Sequence, residues 1–275
     1  MTTAEFTRAG RSEAGAETPF ADIRIDMVRP GVLRLTIDRP KARNALRTQT
    51  LREIAEALDA AARDADVRCV VLTGGPKVFA AGADIGELAA HDATSILDDA
   101  RPGHWKAIRS FPKPIVAAIN GYCLGGGNEL AMHADILIAG TTAVFGQPEV
   151  NLGIIPGAGG TQRLTHAVGK SNAMLMALTG AFIDAQTALA QGLVSEVTQP
   201  ELTEDRAITI AETIAAKPPL AVRMAKEAVL KAHEVGLEQG LHAERRAFCQ
   251  LFATEDKREG VSAFLEKRRP AFTGR

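Results

Sequence analysis

Apolar positions recur with two different periods along this chain. Ile23 and Ile25 alternate with polar neighbours, and Leu33, Leu35 and Ile37 alternate with Arg34, Thr36 and Asp38. A period of two predicts two half-buried strands, with Gly31, after Pro30, supplying the turn. Leu51, Ile54, Ala55, Leu58 and Ala62 then share one helical face, with charged residues on the other. Unbroken apolar runs follow at 69–72, 115–119, 136–139 and 143–145, and Val194–Val197 is read as a fifth, weaker strand candidate. Such runs read as strands covered on both faces. Helical stretches separate them, among them 171–179 with Met174, Leu175 and Leu178 expected to face inward. Short buried strands alternating with helices predict an α/β core.

The character changes after Glu201. No strand-like run remains, and 220–252 reads as helix with Leu237, Leu241, Phe248 and Leu251 in a stripe. That stripe is expected mainly as core, with assembly as the alternative. Residues 1–19, rich in Ala, Thr, Gly, Ser and Glu, read as a disordered tail. The organisation is thus a tail (1–19), an α/β core (20–200) and a C-terminal helical region (201–275) suited to oligomerisation.

Composition removes several classes of function. A length of 275 residues allows one or two domains with an ample core. With 32 Lys+Arg against 33 Asp+Glu the net charge is −1, which offers no bulk attraction to nucleic acid or anionic membrane. The uncharged stretch 114–128 is too short and glycine-rich for a span of about 20 residues, and the first thirty residues carry no apolar signal core. A cytoplasmic protein is expected. Cys69, Cys123 and Cys249 lie far apart without a CxxC pair, so neither a metal cluster nor a disulfide framework is expected. Gly169-Lys170-Ser171 lacks the earlier glycine of a phosphate loop, and 157–162 lacks the last glycine of a dinucleotide fingerprint. There is no GxSxG elbow, and His233-Glu234 has no second histidine at metal spacing.

Two glycine-rich loops and two glutamates remain. Phe79-Ala80-Ala81-Gly82-Ala83-Asp84-Ile85 follows the run at 69–72, and Asn120-Gly121-Tyr122-Cys123-Leu124-Gly125-Gly126-Gly127-Asn128-Glu129-Leu130 follows the run at 115–119. Both sit past the carboxyl end of a strand and lead into a helix, where open α/β sheets bind ligands. Free N–H groups from two such loops form an oxyanion hole when they converge on one carbonyl oxygen. Glu129 shares a face of the first helical turn with Gly126, and Glu149 sits in the stiff turn Gln147-Pro148-Glu149. Two carboxylates beside such a hole divide acid and base roles, because crowding raises one pKa. On the residues alone a plain structural reading stays open: glycine loops are common, and a first-turn glutamate complements the helix dipole.

These motifs, with Phe145-Gly146-Gln147-Pro148-Glu149 and Ile155-Pro156-Gly157-Ala158-Gly159-Gly160-Thr161-Gln162-Arg163-Leu164, resemble the enoyl-CoA hydratase/isomerase (crotonase) family. The resemblance runs from about Ile23 to Phe272. It includes Arg39-Pro40, Asn44-Ala45-Leu46, Glu259-Gly260, Ala263-Phe264 and Glu266-Lys267-Arg268. It implies a ClpP-like spiral of ββα units with a C-terminal helical segment, assembled as trimers or as hexamers built from two trimers. It further implies that backbone N–H groups of Ala83 and Gly126 hold the thioester oxygen. Glu129 would activate water toward C3 and Glu149 would protonate C2, giving syn hydration of a trans-2-enoyl-CoA to a 3-hydroxyacyl-CoA. Fatty-acid β-oxidation is the implied setting. Gly157 matches a position near the thioester, and Lys41, Ala42, Ala81, Asp84 and Ile85 match the CoA neighbourhood, largely through backbone. Phe264 and Lys267 match a pair near the adenine end, supplied in some members by a neighbouring subunit. No metal or separate cofactor is implied, since CoA enters with the substrate.

Asp38 and Asn128 depart from the family pattern, and Asn128 is expected as a solvated amide. The stretch 86–110, with His104 and Trp105, matches the variable segment that lines the acyl pocket. Gly126→Pro is expected to be far worse than Gly126→Ala, because the donor there is backbone. An enoyl-CoA isomerase is one rival, and it would need mainly Glu149. A silent acyl-CoA-binding protein is another. RNA binding is a third, disfavoured because Arg245-Arg246 and 267–269 are short basic runs offset by glutamates.

Overall fold

The computed structural model describes residues 20–275; the expected tail at 1–19 lies outside them. The chain opens with the antiparallel pair β1 (Ile23–Arg29) and β2 (Val32–Ile37), as the alternation requires. Helix α1 (Thr48–Arg63) follows and buries Leu51, Ile54, Ala55 and Leu58. Strands then come in pairs. Strand β3 (Cys69–Thr73) is followed by β4 (Val78–Ala80), helix α2 (Ile85–Ala89) and helix α3 (Arg101–Arg109). Strand β5 (Ile115–Ile119) is followed by β6 (Tyr122–Leu124) and helix α4 (Gly126–Ala131). Strand β7 (Ile136–Gly140) is followed by β8 (Val144–Gly146) and helix α5 (Gly160–Thr179), which is broken at Gly169. Strand β9 (Phe182–Asp184), helix α6 (Ala185–Gln191) and strand β10 (Glu196–Thr198) complete the strand-bearing part.

The first strand of each pair enters a six-stranded sheet ordered β1-β2-β3-β5-β7-β10, and the second enters a four-stranded sheet ordered β4-β6-β8-β9. This repeated exchange between two sheets is the spiral of ββα units. It also explains the unbroken apolar runs. Val70 and Leu72 of β3 face the main core, whereas Cys69 and Val71 face the opposite side, where Ala207, Ile208, Ala211 and Ala215 of helix α7 (Thr203–Ala215) cover the sheet. With both faces covered, no polar residue is tolerated at alternate positions. After β10 the chain is helical: α7, α8 (Pro219–Lys231), α9 (Leu237–Leu251) and α10 (Glu255–Leu265).

One buried cation fixes the frame on which the loops rest. Lys113 donates from Nζ to the carbonyls of Ala61 (2.6 Å), Asp64 (2.5 Å) and Val67 (2.7 Å), capping the end of α1 just before β5 begins. Burial pulls its pKa down to about 8.

Three expectations need correction. The single helical stretch 220–252 is two helices, α8 and α9. Met174, Leu175 and Leu178 point outward, at 51%, 57% and 68% exposure, and Leu237, Leu241 and Phe248 of the C-terminal stripe are exposed as well. Helical period alone identifies an apolar face without saying whether the same chain covers it. The candidate at 194–197 yields its strand two residues later, at β10.

Candidate active site

The loop after β4 is shaped from below by Asn44. Its buried side chain donates from Nδ2 to the carbonyls of Gly74 and Val78, each at 2.9 Å, and accepts from Arg39 N at 2.9 Å. Leu46 then pairs with the loop, its N–H donating to Gly82 O (2.8 Å) and its carbonyl accepting from Asp84 N (2.9 Å). These bonds engage the neighbours of Ala83 and leave the Ala83 N–H itself without a backbone acceptor among the described residues. Across from it, Gly125 stands at φ +50° between β6 and α4, and Gly126 opens the helix with its own N–H unspent. A methyl added to Gly126 would lie 3.3 Å from Ala83 N. The two loops therefore come into close contact here, with the unspent amides of Ala83 and Gly126 on neighbouring stretches of backbone.

Glu149 lies against the turn before α4, and Glu129 is near enough to it for their charges to interact. Glu129 lies on α4 and is buried; its Oε1 accepts from Ala158 N (2.7 Å) and Gly160 N (2.8 Å), which fixes the 157–160 turn against it. Glu149 lies in the short helical turn Pro148–Leu152 after β8. A methyl on Gly125 would sit 2.9 Å from Glu149 Oε1, and one on Gly160 would sit 2.9 Å from Glu129 Oε1. Glycine at 125 lets Glu149 approach the turn before α4, and glycine at 160 lets Glu129 approach the 157–160 turn.

The electrostatics separate the two groups. Burial pushes Glu129 up from its ordinary value, and the Gly160 and Ala158 amides, which favour the anion, oppose that rise. Burial, helped by the facing Glu129 charge, pushes Glu149 up to about 7. Both carboxyls are thus pushed above the ordinary carboxylate value, Glu149 to about 7, where a carboxyl exchanges protons near neutrality.

Of the remaining candidates, Lys41 and Ala42 lie on the 3-10 turn Pro40–Ala42, which Ala81 N joins through Arg43 O at 3.1 Å. Asp84 caps α2 and accepts from Arg39 at 3.2 Å, with half-exposed Ile85 next to it. Gly157 sits in the turn against Glu129. These residues gather around the Ala83 loop. Phe264 and Lys267 are not brought there: both are exposed at the end of α10, with no hydrogen bond or ion pair to the loop among the described residues.

Asn128 is a correction. It is fully buried, and neither amide atom has a hydrogen-bond partner among the described residues. Gln147 was missed. Its buried side chain sits with one amide atom 2.9 and 3.1 Å from the two Glu149 oxygens, a donor position when the amide nitrogen faces them. The other side of that amide lies beside Gly160, next to Glu129 Oε1. Full burial of a glutamine was its only signal, and sequence does not display burial.

The profile of the enoyl-CoA hydratase/isomerase family matches residues 28–275. The chain is 50% identical over 244 residues to the 2,3-dehydroadipyl-CoA hydratase of Escherichia coli K12, covering 89% of this chain and 96% of that one. It is 47% identical to the mitochondrial enoyl-CoA hydratase of Pongo abelii, over 86% of this chain and 82% of the relative. A crystal structure of an enoyl-CoA hydratase subunit from Geobacillus kaustophilus superposes with a TM-score of 0.90 at 43% identity, covering 94% of this chain and all of that one. The chain belongs to the enoyl-CoA hydratase/isomerase family. Within it, this protein is an enoyl-CoA hydratase, a hydro-lyase.

Proposed function

We propose that Glu129 and Glu149 carry out syn hydration of a trans-2-enoyl-CoA on an oxyanion hole formed by Ala83 N–H and Gly126 N–H. The observation that carries this reading is two unspent backbone amides on touching loops beside two buried glutamates whose proton affinities are both raised. The thioester oxygen accepts from both amides, so charge leaving the double bond collects where donors are already oriented. Water attacks C3 as its proton passes to Glu129, and the proton of Glu149 forms the new bond at C2. The reaction is redox-neutral, and its acid, base and oxyanion donors are all protein groups, so the reading calls for no cofactor. Lys41, Ala42, Ala81, Asp84 and Ile85 would hold the CoA portion at the mouth, with Gly157 against the thioester.

The pH dependence tests the division of roles. On crotonyl-CoA, kcat/KM is expected to fall above about pH 7, as Glu149 loses the proton it must deliver, and to fall again in acid as Glu129 is protonated. A rate that rises steadily through pH 9 contradicts Glu149 as acid.

A second reading narrows the acyl group. The E. coli relative is named for an adipyl thioester, a six-carbon chain ending in a carboxylate, and we propose a substrate of that class beside simple enoyl chains.

We also propose a homotrimer or a hexamer of two trimers. Met174, Leu175, Leu178, Leu237, Phe248 and Phe264 are all exposed, and an assembly would cover outward apolar side chains of this kind. An assembly would also supply the missing neighbourhood of Phe264 and Lys267. Sedimentation at working concentration is expected to show a trimer or larger; a clean monomer contradicts this.

A further inference from the structure

The inner face of α3 carries an arginine that the hydration chemistry does not use. Arg101 and Ile108 are buried and Trp105 is half-buried, so residues at i, i+4 and i+7 share the face turned inward. Trp105 stacks on His133 with ring centroids 5.3 Å apart, and His133 Nδ1 lies 2.8 Å from the carbonyl oxygen of Glu129. This face packs mainly on α1, and through Trp105 it touches His133 just past α4, the helix that bears Glu129; Arg101 stands at its start.

Arg101 is 7% exposed. Asp99 clasps one edge of it: Oδ1 accepts from Arg101 N at 2.9 Å, and Oδ2 accepts from Nε at 2.6 Å. Both Nη groups are left without a hydrogen-bond acceptor among the described residues. Neither Nη group is among the fully enclosed unpartnered atoms, so this edge of the guanidinium stays open to an incoming group. The unspent edge is the planar fork that matches a carboxylate through two parallel bonds. Asp99 fixes the plane of that fork without occupying it.

We infer that Arg101 anchors a carboxylate at the far end of the acyl chain, which makes ω-carboxy trans-2-enoyl-CoA thioesters the favoured substrate class. The inference rests on the hydratase reading of the glutamate pair and on the narrower reading of the acyl group, and it assigns the recognising residue. In this account Trp105 and His133 form the wall along which the methylene chain lies, and Arg101 sets where it ends.

The test compares kcat/KM for trans-2-hexenoyl-CoA and its six-carbon ω-carboxy counterpart in wild type, Arg101→Gln and Arg101→Lys. Wild type is expected to favour the carboxylated thioester. Arg101→Gln is expected to lower kcat/KM for that substrate by about 100-fold, mainly through KM, since a site built for a polar group rejects the unmatched pair strongly. Its effect on hexenoyl-CoA is expected to be far smaller, and Arg101→Lys is expected to fall between, keeping charge and losing the fork. Equal wild-type efficiency on both thioesters overturns the inference without any variant, as does an equal loss on both in Arg101→Gln. Wild type that turns over neither thioester overturns the hydratase reading itself, and the inference with it.

Discussion

Glu149→Gln is expected to lower kcat on crotonyl-CoA by about a thousand-fold or more, with KM changed little, because a positioned proton donor is lost while binding groups stay. Glutamine fills the same space and still offers a hydrogen bond, so the loss reports the proton and not the packing. Glu129→Gln is expected to cost about as much, since an amide cannot take a proton from water. The double variant is expected to be little worse than either single one, because the two groups serve one step. Additive losses in the double variant would mean that they act in separate steps. Fold integrity has its own readout. The folded protein holds the Glu149 proton up to about 7, while an unfolded chain releases it near the ordinary carboxylate value. Stability contributed by that proton is therefore lost as pH rises between those two values. Glu149→Gln removes the ionising group, so its melting temperature at pH 8 is expected to equal or exceed that of wild type. A lower one would mean that the activity loss reflects damage to the fold.

Gly126→Ala carries the second large effect. The added methyl would stand 3.3 Å from Ala83 N, inside the proposed oxyanion hole. Loss of one oxyanion donor costs about 2.7–4 kcal/mol of barrier, a factor of about a hundred to a thousand in kcat. Proline at 126 starts a helix without difficulty but deletes the N–H outright. The sequence led us to expect Ala to be mild beside Pro. The nearby Ala83 amide makes alanine costly too, and that proximity between loops 43 residues apart has no trace in either motif. Stopped-flow turnover of the alanine variant at saturating crotonyl-CoA checks this. A kcat within a few-fold of wild type would show that the hole is wider than the geometry indicates.

The large sheet was legible because its central strands are covered on both faces. Val70 and Val71 must both be apolar when one faces the main core and the other faces α7. The small sheet was legible only at β8, which the run at 143–145 marks. Its strands β4, β6 and β9 have three residues each, and β4 takes Phe79 and Ala80 from what reads as the start of a glycine loop. Glu129 and Glu149 were found because they stand in long motifs. Gln147, inside one of those motifs, was passed over, since its role depends on which carboxylate it faces. Asn128 shows the opposite failure. A polar amide in a helical first turn reads as solvated, yet β4 and β6 pack against this short helix and bury it. The outward apolar faces of α5 and α9 were assigned inward because period locates a stripe and leaves its partner unnamed.

The measurement that bears most directly on the central claim is turnover of crotonyl-CoA by the wild-type protein. Loss of the conjugated-thioester absorbance would be followed, and the product weighed by mass spectrometry. The account requires rapid loss of absorbance and a product heavier by one water. Tight binding of the thioester with its absorbance intact and its mass unchanged, on this and on longer chains, would leave both glutamates as spectators and contradict the account.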